Sequence, residues 1–147
     1  MRTLLALAAA LIATPALAEP TWCAAAADPS LRPFDIEVPE HFVLEVGAQS
    51  DASITWTLRR RNVIYVSIHA SNRGTLGRGN VAGQEAREGG LRVWRGPGLF
   101  GVRTLERLHE TGCKTWPTHV RVAVYPALVG ASELEAARLA DTFRLKR

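Results

Sequence analysis

From Phe34 onward the chain alternates apolar and polar residues in short runs, each closed by turn chemistry. Phe34, Ile36 and Val38 fall on one side and Asp35 and Glu37 on the other until Pro39, the period of two expected of a half-buried strand. Phe42 to Val46 reads as a second short strand, followed by turn residues from Gly47 to Asp51. Ser53 to Arg60 sends Ile54, Trp56 and Leu58 inward and Thr55, Thr57 and Arg59 outward. Val63 to Ala70 is the strongest strand signal, rich in branched and aromatic side chains, with Ile64, Val66, Ile68 and Ala70 on one face. Arg60, Arg61 and Asn62 between these two runs predict a hairpin tip with its arginines in solvent.

The periodicity then fails from Ser71 to Gly90, which predicts a long exposed connection of the kind that often carries function. Leu91 to Arg95 resumes the alternation, Gly96-Pro97-Gly98 reads as a turn, and Leu99 to Glu110 fits a strand bulged at Gly101 better than a short helix. His119 to Tyr125 places Val120, Val122 and Val124 inward. Ser132 with Glu135 three positions later is a capping box that opens a helix, whose apolar face is Leu134, Ala136, Ala137, Leu139, Ala140 and Phe143. Antiparallel strands followed by one terminal helix predict an α+β fold, an antiparallel sheet of about six strands with a C-terminal amphipathic helix packed on one face.

The first residues read differently from the rest. Met1-Arg2 gives a positive start, Leu4 to Ile12 is unbroken apolar sequence, and Ala16-Leu17-Ala18 has the small residues a signal peptidase accepts, so residues 1–18 are expected to be a cleaved signal peptide. That apolar run is short for a spanning helix, and no later stretch is longer, so no transmembrane segment is expected after cleavage. Residues 19–33 then form an extended lead-in and residues 34–147 a single α+β domain. The two cysteines, Cys23 and Cys113, are expected to be disulfide-bonded in an oxidising compartment, tethering the lead-in to the body. Trp22 and Trp116 flank them and are placed to pack over the bridge. These features point to a periplasmic protein.

Charge narrows the partners only a little. The net formal charge is +4, with the arginines spread among fourteen acids, so a solvated mixed surface accounts for it and an anionic envelope component remains open. No nucleic acid is expected in that compartment. The segment Gly74-Thr75-Leu76-Gly77-Arg78-Gly79-Asn80 has the glycines of an anion loop but neither the lysine nor the hydroxyl of a phosphate-binding loop, and reads as a flexible connector. Arg73, Arg78 and Arg87 lie in or beside it as candidate partner-binding residues. Of the histidines His41, His69, His109 and His119, none stand at metal-ligand spacing; His69 and His119 share the polar face of predicted core strands and are the candidates for a metal site. No serine, cysteine or paired carboxylate stands in a catalytic pattern, so no catalytic residue and no cofactor is assigned.

Taken together, Phe34-Asp35-Ile36-Glu37-Val38-Pro39, the hairpin through Ile64 to Ile68, the His119 to Tyr125 strand and the closing Phe143-Arg144-Leu145 resemble a small uncharacterised group of exported bacterial proteins. The order of elements is similar to the PsbP-like fold. That resemblance implies an accessory or assembly role at an envelope or membrane complex, an analogy of fold and not of site. The function expected is therefore a non-enzymatic periplasmic binding or accessory domain contacting a protein or envelope component. The alternative is a small-ligand or metal carrier with its pocket between helix and sheet.

Overall fold

The computed structural model describes residues 18–77, 82–97, 103–124 and 133–146. The expected signal peptide up to Leu17 lies outside the described residues, as do Arg78, Tyr125 and Ser132. No helix among the described residues is long and apolar enough to cross a membrane.

The body is a seven-stranded antiparallel sheet with one short helix, an α+β architecture. Strands β2 (Val43–Ser50), β3 (Ser53–Arg60) and β4 (Val63–Ser71) form one meander, and β5 (Gln84–Glu88), β6 (Leu91–Pro97), β7 (Arg103–Glu110) and β8 (His119–Val124) form another. They join where β8 lies beside β4, giving the order β2-β3-β4-β8-β7-β6-β5. The short strand β1 (Phe34–Asp35) pairs with β9 (Arg144–Leu145), which follows helix α1 (Glu133–Asp141). The described residues contain more sheet than expected.

The register sets which side chains share a face. Ile54, Ala70 and Val120 stand in line across β3, β4 and β8, as do Trp56, Ile68 and Val122, and Leu58, Val66 and Val124. All nine are buried, and with Phe34, Phe42, Phe143 and the helix residues Ala136, Leu139 and Ala140 they form the main core. Phe34 sits at its centre, edge-on to Trp56 with ring centroids 5.2 Å apart and stacked on Phe143 at 5.4 Å. Burying aromatic side chains of this size is the largest favourable contribution a small domain has.

Several strand boundaries differ from the sequence reading. The run expected from Phe34 to Val38 is a strand only at Phe34–Asp35 and pairs with β9, outside the main sheet. Gly47 to Ser50, read as a turn, continues β2 through a bulge between Val46 and Gln49. Gly96 and Pro97 lie within β6. A register shift after Leu58 buries Tyr65 and turns Ile64 outward, reversing the expected facing at that end of β4. Leu134, placed on the apolar helix face, is 80% exposed. β5 lies near the end of the stretch read as a long connection. Its sequence, Gln-Glu-Ala-Arg-Glu, is exposed at every position, so an edge strand wet on both faces leaves no apolar alternation to detect.

Two clamps fix the periphery. Cys23 and Cys113 are bonded, with Cα atoms 5.6 Å apart across 90 positions of sequence. Beside them Ala24 and Trp116 exchange backbone hydrogen bonds of 2.9 Å, and Trp22 and Trp116 are both buried, with Ala24 and Ala27 against the core. The lead-in is thus part of the packed body. At the other clamp Arg60, expected in solvent, donates to both carboxylate oxygens of Glu135, at 3.0 and 3.2 Å, and stacks over Phe42 and Tyr65 at 5.1 Å each. It ties the β3–β4 hairpin to α1. Arg61, next along, is exposed at a φ of 55°.

Closing a long loop restricts the unfolded chain, so replacing both cysteines by serine should cost about 2–5 kcal/mol of unfolding free energy in denaturant titrations. A loss well below that range would mean that the bridge adds little to what the Ala24–Trp116 pairing already holds.

Candidate functional site

The other face of the sheet carries the polar chemistry. One transverse row across it reads Thr55, His69, Arg121, Leu108, Arg92 and Arg87, from β3 to β5. The next reads Thr57, Ser67, Ala123, Glu106, Trp94 and Glu85. Over β3 and β4 these side chains are half-buried, but Leu108, Ala123, Glu106 and Trp94 are buried, although none belongs to the main core.

What covers them is the segment after β4, residues 72–77 and 82–83. It is pinned to the sheet in sequence: Thr118 N–H donates to Asn72 Oδ1 at 3.1 Å, Arg73 N–H to Ser71 Oγ at 3.2 Å, Arg92 Nη1 to the Gly74 carbonyl at 2.8 Å, and Gly77 N–H to Glu106 Oε2 at 2.9 Å. Its glycines serve close approach. A methyl group on Gly83 would come within 2.1 Å of the Trp94 ring, one on Gly77 within 2.7 Å, and one on Gly74 within 2.8 Å of His119 Nε2. Gly77 also has a φ of +70°, where a Cβ is strained whatever the space. The connector read as flexible is, over its described part, a strap closed on Trp94.

Beneath the strap lies a buried acid beside a mostly buried arginine. Glu106 and Arg121 approach to 3.9 Å with side-chain exposures of 4% and 13%, and Arg121 Nε is buried with no partner among the described residues. A carboxylate in such a place needs donors, and Glu106 has one in the Gly77 amide. The pair is a long-range product of register, and sequence reading missed it. The one signal in the sequence was the run of glycines around one tryptophan-bearing strand.

Most arginines of the sheet are paired. Arg59, Arg60, Arg92, Arg95, Arg107 and Arg121 are each within 4 Å of an acid. Hydrogen bonds from Arg92 and Arg95 hold the Glu85 and Glu88 carboxyls below their ordinary range. Arg73 and Arg87, two of the three candidate partner-binding residues, are exposed and make no ion pair among the described residues. Arg87 stands directly opposite Arg92 on the strap-bearing face, and Arg73 lies in the strap. Arg78 lies outside the described residues.

His69 and His119 sit on this same face of adjacent strands, one register step apart, opposite Arg121 and Ser71 respectively. Each shares a 2.9 Å hydrogen bond through Nδ1 with a threonine hydroxyl, Thr55 for His69 and Thr118 for His119. Among the described residues, the side chains grouped as metal ligands would be are Glu19, Cys23 and Cys113, and those two sulfurs are bonded to each other. His109 points the other way, its ring 4.7 Å from Phe143, and burial with the nearby Arg107 charge lowers its pKa to about 4. Ala136, Leu139 and Ala140 of α1 belong to the main core, and a recess of about 640 Å³ is lined by Pro20, Thr111, Arg144, Leu145 and Lys146.

Two outcomes follow from this packing. Gly83→Ala should cost about 1–3 kcal/mol and shift tryptophan emission, because the ring must move; Gly89→Ala, in open space at a φ of +55°, should cost about 1 kcal/mol and leave emission unchanged. His109 keeps its neutral form in the folded state, so its contribution is fully present above the unfolded value near 6.5 and is lost as pH falls toward about 4. Between those limits wild type should lose about 3 kcal/mol more than His109→Leu in parallel denaturation series. Parallel curves would show that the imidazole is not held neutral.

No protein-family model matches the chain, and no curated protein matches it. Among solved structures, a protein from Bacteroides thetaiotaomicron VPI-5482 is similar at 15% identity with a TM-score of 0.41, over 82% of this chain and 47% of that one. The chain thus spans about half the length of that neighbour.

Proposed function

We propose that the chain is a non-enzymatic binding or accessory domain of an extracytoplasmic space, the bacterial periplasm, holding a protein or envelope component against the strap-bearing face of its sheet. In this reading the amphipathic α1 is packed as cover on the other face. The contact is made by Arg73 and Arg87, and the partner presents acidic groups to them; Arg78, the third candidate, lies outside the described residues. The observation that carries it is the placement of two arginines: Arg59, Arg92, Arg95, Arg107 and Arg121 of the sheet each lie within 4 Å of an acid, whereas Arg73 and Arg87 are exposed on the strap-bearing face and make no ion pair that close among the described residues. An exposed guanidinium is free to form forked pairs with carboxylate or phosphate. The Cys23–Cys113 bridge supports the compartment.

A pinned strap also favours binding. Arg73 sits between anchored residues, Asn72 and Gly74, and Arg87 on a paired strand, so little backbone entropy is lost when they engage a partner. The test is capture from envelope extract by wild type, by Arg73→Ser/Arg87→Ala and by Arg61→Ala at the hairpin tip. The double variant should lose most of the captured partner and Arg61→Ala none, with wild-type capture falling as salt rises. Equal capture by all three would refute the assignment of the face.

A further inference from the structure

We propose that the recess lined by Pro20, Thr111, Arg144, Leu145 and Lys146 is a second, small-ligand site that takes an anionic head group, carboxylate or phosphate, carrying a short apolar chain. This inference is independent of the partner-binding face. Its volume of about 640 Å³ falls within the range of small-molecule sites. Among the described residues no acidic side chain lines it, and two of its five lining residues are cationic.

Both cations are tied to the fold. Arg144 is anchored before any ligand arrives, because Nη1 donates to the Asp141 and Phe143 carbonyls at the end of α1, at 2.6 and 2.7 Å. Its Nε and Nη2 make no hydrogen bond among the described residues. Side-chain entropy is therefore already lost and two donors of the fork remain. Lys146 is fixed at its backbone by an N–H bond of 3.0 Å to the Pro33 carbonyl, while its ammonium lies 3.9 Å from Asp35, an acid also 3.6 Å from Arg32. At that distance it forms no hydrogen bond, and its donors are left for a ligand.

The remaining wall is apolar and held in place by the oxidised lead-in. Pro20 and Leu145 both line the recess, the Pro20 carbonyl accepts from Cys23 N–H at 3.0 Å, and Cys23 is bonded to Cys113. On its other side Glu19 accepts from Lys114 N–H at 2.8 Å. Thr111 Oγ1 is spent on the Pro117 carbonyl and the Cys113 amide, so it shapes the recess and leaves recognition to the two cations. A charged head beside Arg144 and Lys146 and a short chain between Pro20 and Leu145 match this division. The disulfide places the wall, so the site is complete only in the oxidised chain.

The test titrates the oxidised chain with hexanoate and, separately, with hexyl phosphate, following the amide resonances of Thr111, Leu145 and Lys146. At least one probe should move these signals saturably, and the stronger one identifies carboxylate or phosphate as the head group. Lys146→Glu, whose side chain holds no hydrogen bond, and Arg144→Gln should each weaken binding about tenfold or more, and Arg61→Glu should leave it unchanged. The proposal is overturned if neither probe saturates below about 10 mM, if the shifts map elsewhere, or if Arg61→Glu weakens binding as much as Lys146→Glu does.

Discussion

Everything in this fold depends on the pairing of β4 with β8. Without it the sheet would be two separate meanders, each with no partner for its apolar side. Six residue pairs from Val66–Val124 to Ser71–His119 join them, and with that register Val66, Ile68 and Ala70 fall into line with Val124, Val122 and Val120. A slip of one residue would put every one of these side chains on the opposite face. The same seam puts His69 opposite Arg121 and Ser67 opposite Ala123, so one register creates both the core and the polar face.

The two faces then do different work. On one, aromatic and branched side chains meet α1 residues and the β1–β9 ribbon, and the Arg60–Glu135 pair and the disulfide secure the margins. On the other, burial is achieved by a glycine strap with little apolar surface of its own. The strap closes because Gly77 and Gly83 can lie against Trp94 where any side chain would collide, and because Glu106 offers an acceptor to the Gly77 amide. That arrangement fixes where Arg73 lies, and Arg87 is fixed by β5 pairing. Glycine here gives proximity, and the cost is that almost any substitution opens the strap.

The strands with one dry and one wet face were legible in the sequence. Ser53–Arg60 is a strand with the expected bounds, and Val63–Ala70 and His119–Tyr125 differ only at their ends over the described residues. The cysteine pairing was legible from a count of two. What sequence reading missed has specific physical causes. β5 is wet on both faces and shows no alternation. Tyr65 replaces Ile64 inward because a register shift, which no local pattern encodes, breaks the period of two. Arg60 looked like a solvated turn residue because its partner Glu135 lies 75 positions away. Glu106 sits in a strand whose two faces are both mixed, so the burial of its carboxylate follows only from the strap. The candidate arginines were visible as residue types, but their division into matched and unmatched required the register.

The central claim is that a closed strap gives this face a fixed geometry, and the exchange rate of the Gly77 amide tests it most directly. With that N–H bonded to the buried Glu106 carboxylate, native-state hydrogen exchange should show it protected by about a hundredfold or more over an unstructured peptide. Exchange at the rate of an unstructured peptide would contradict the claim, because the strap would then be open and Arg73 would belong to no defined surface.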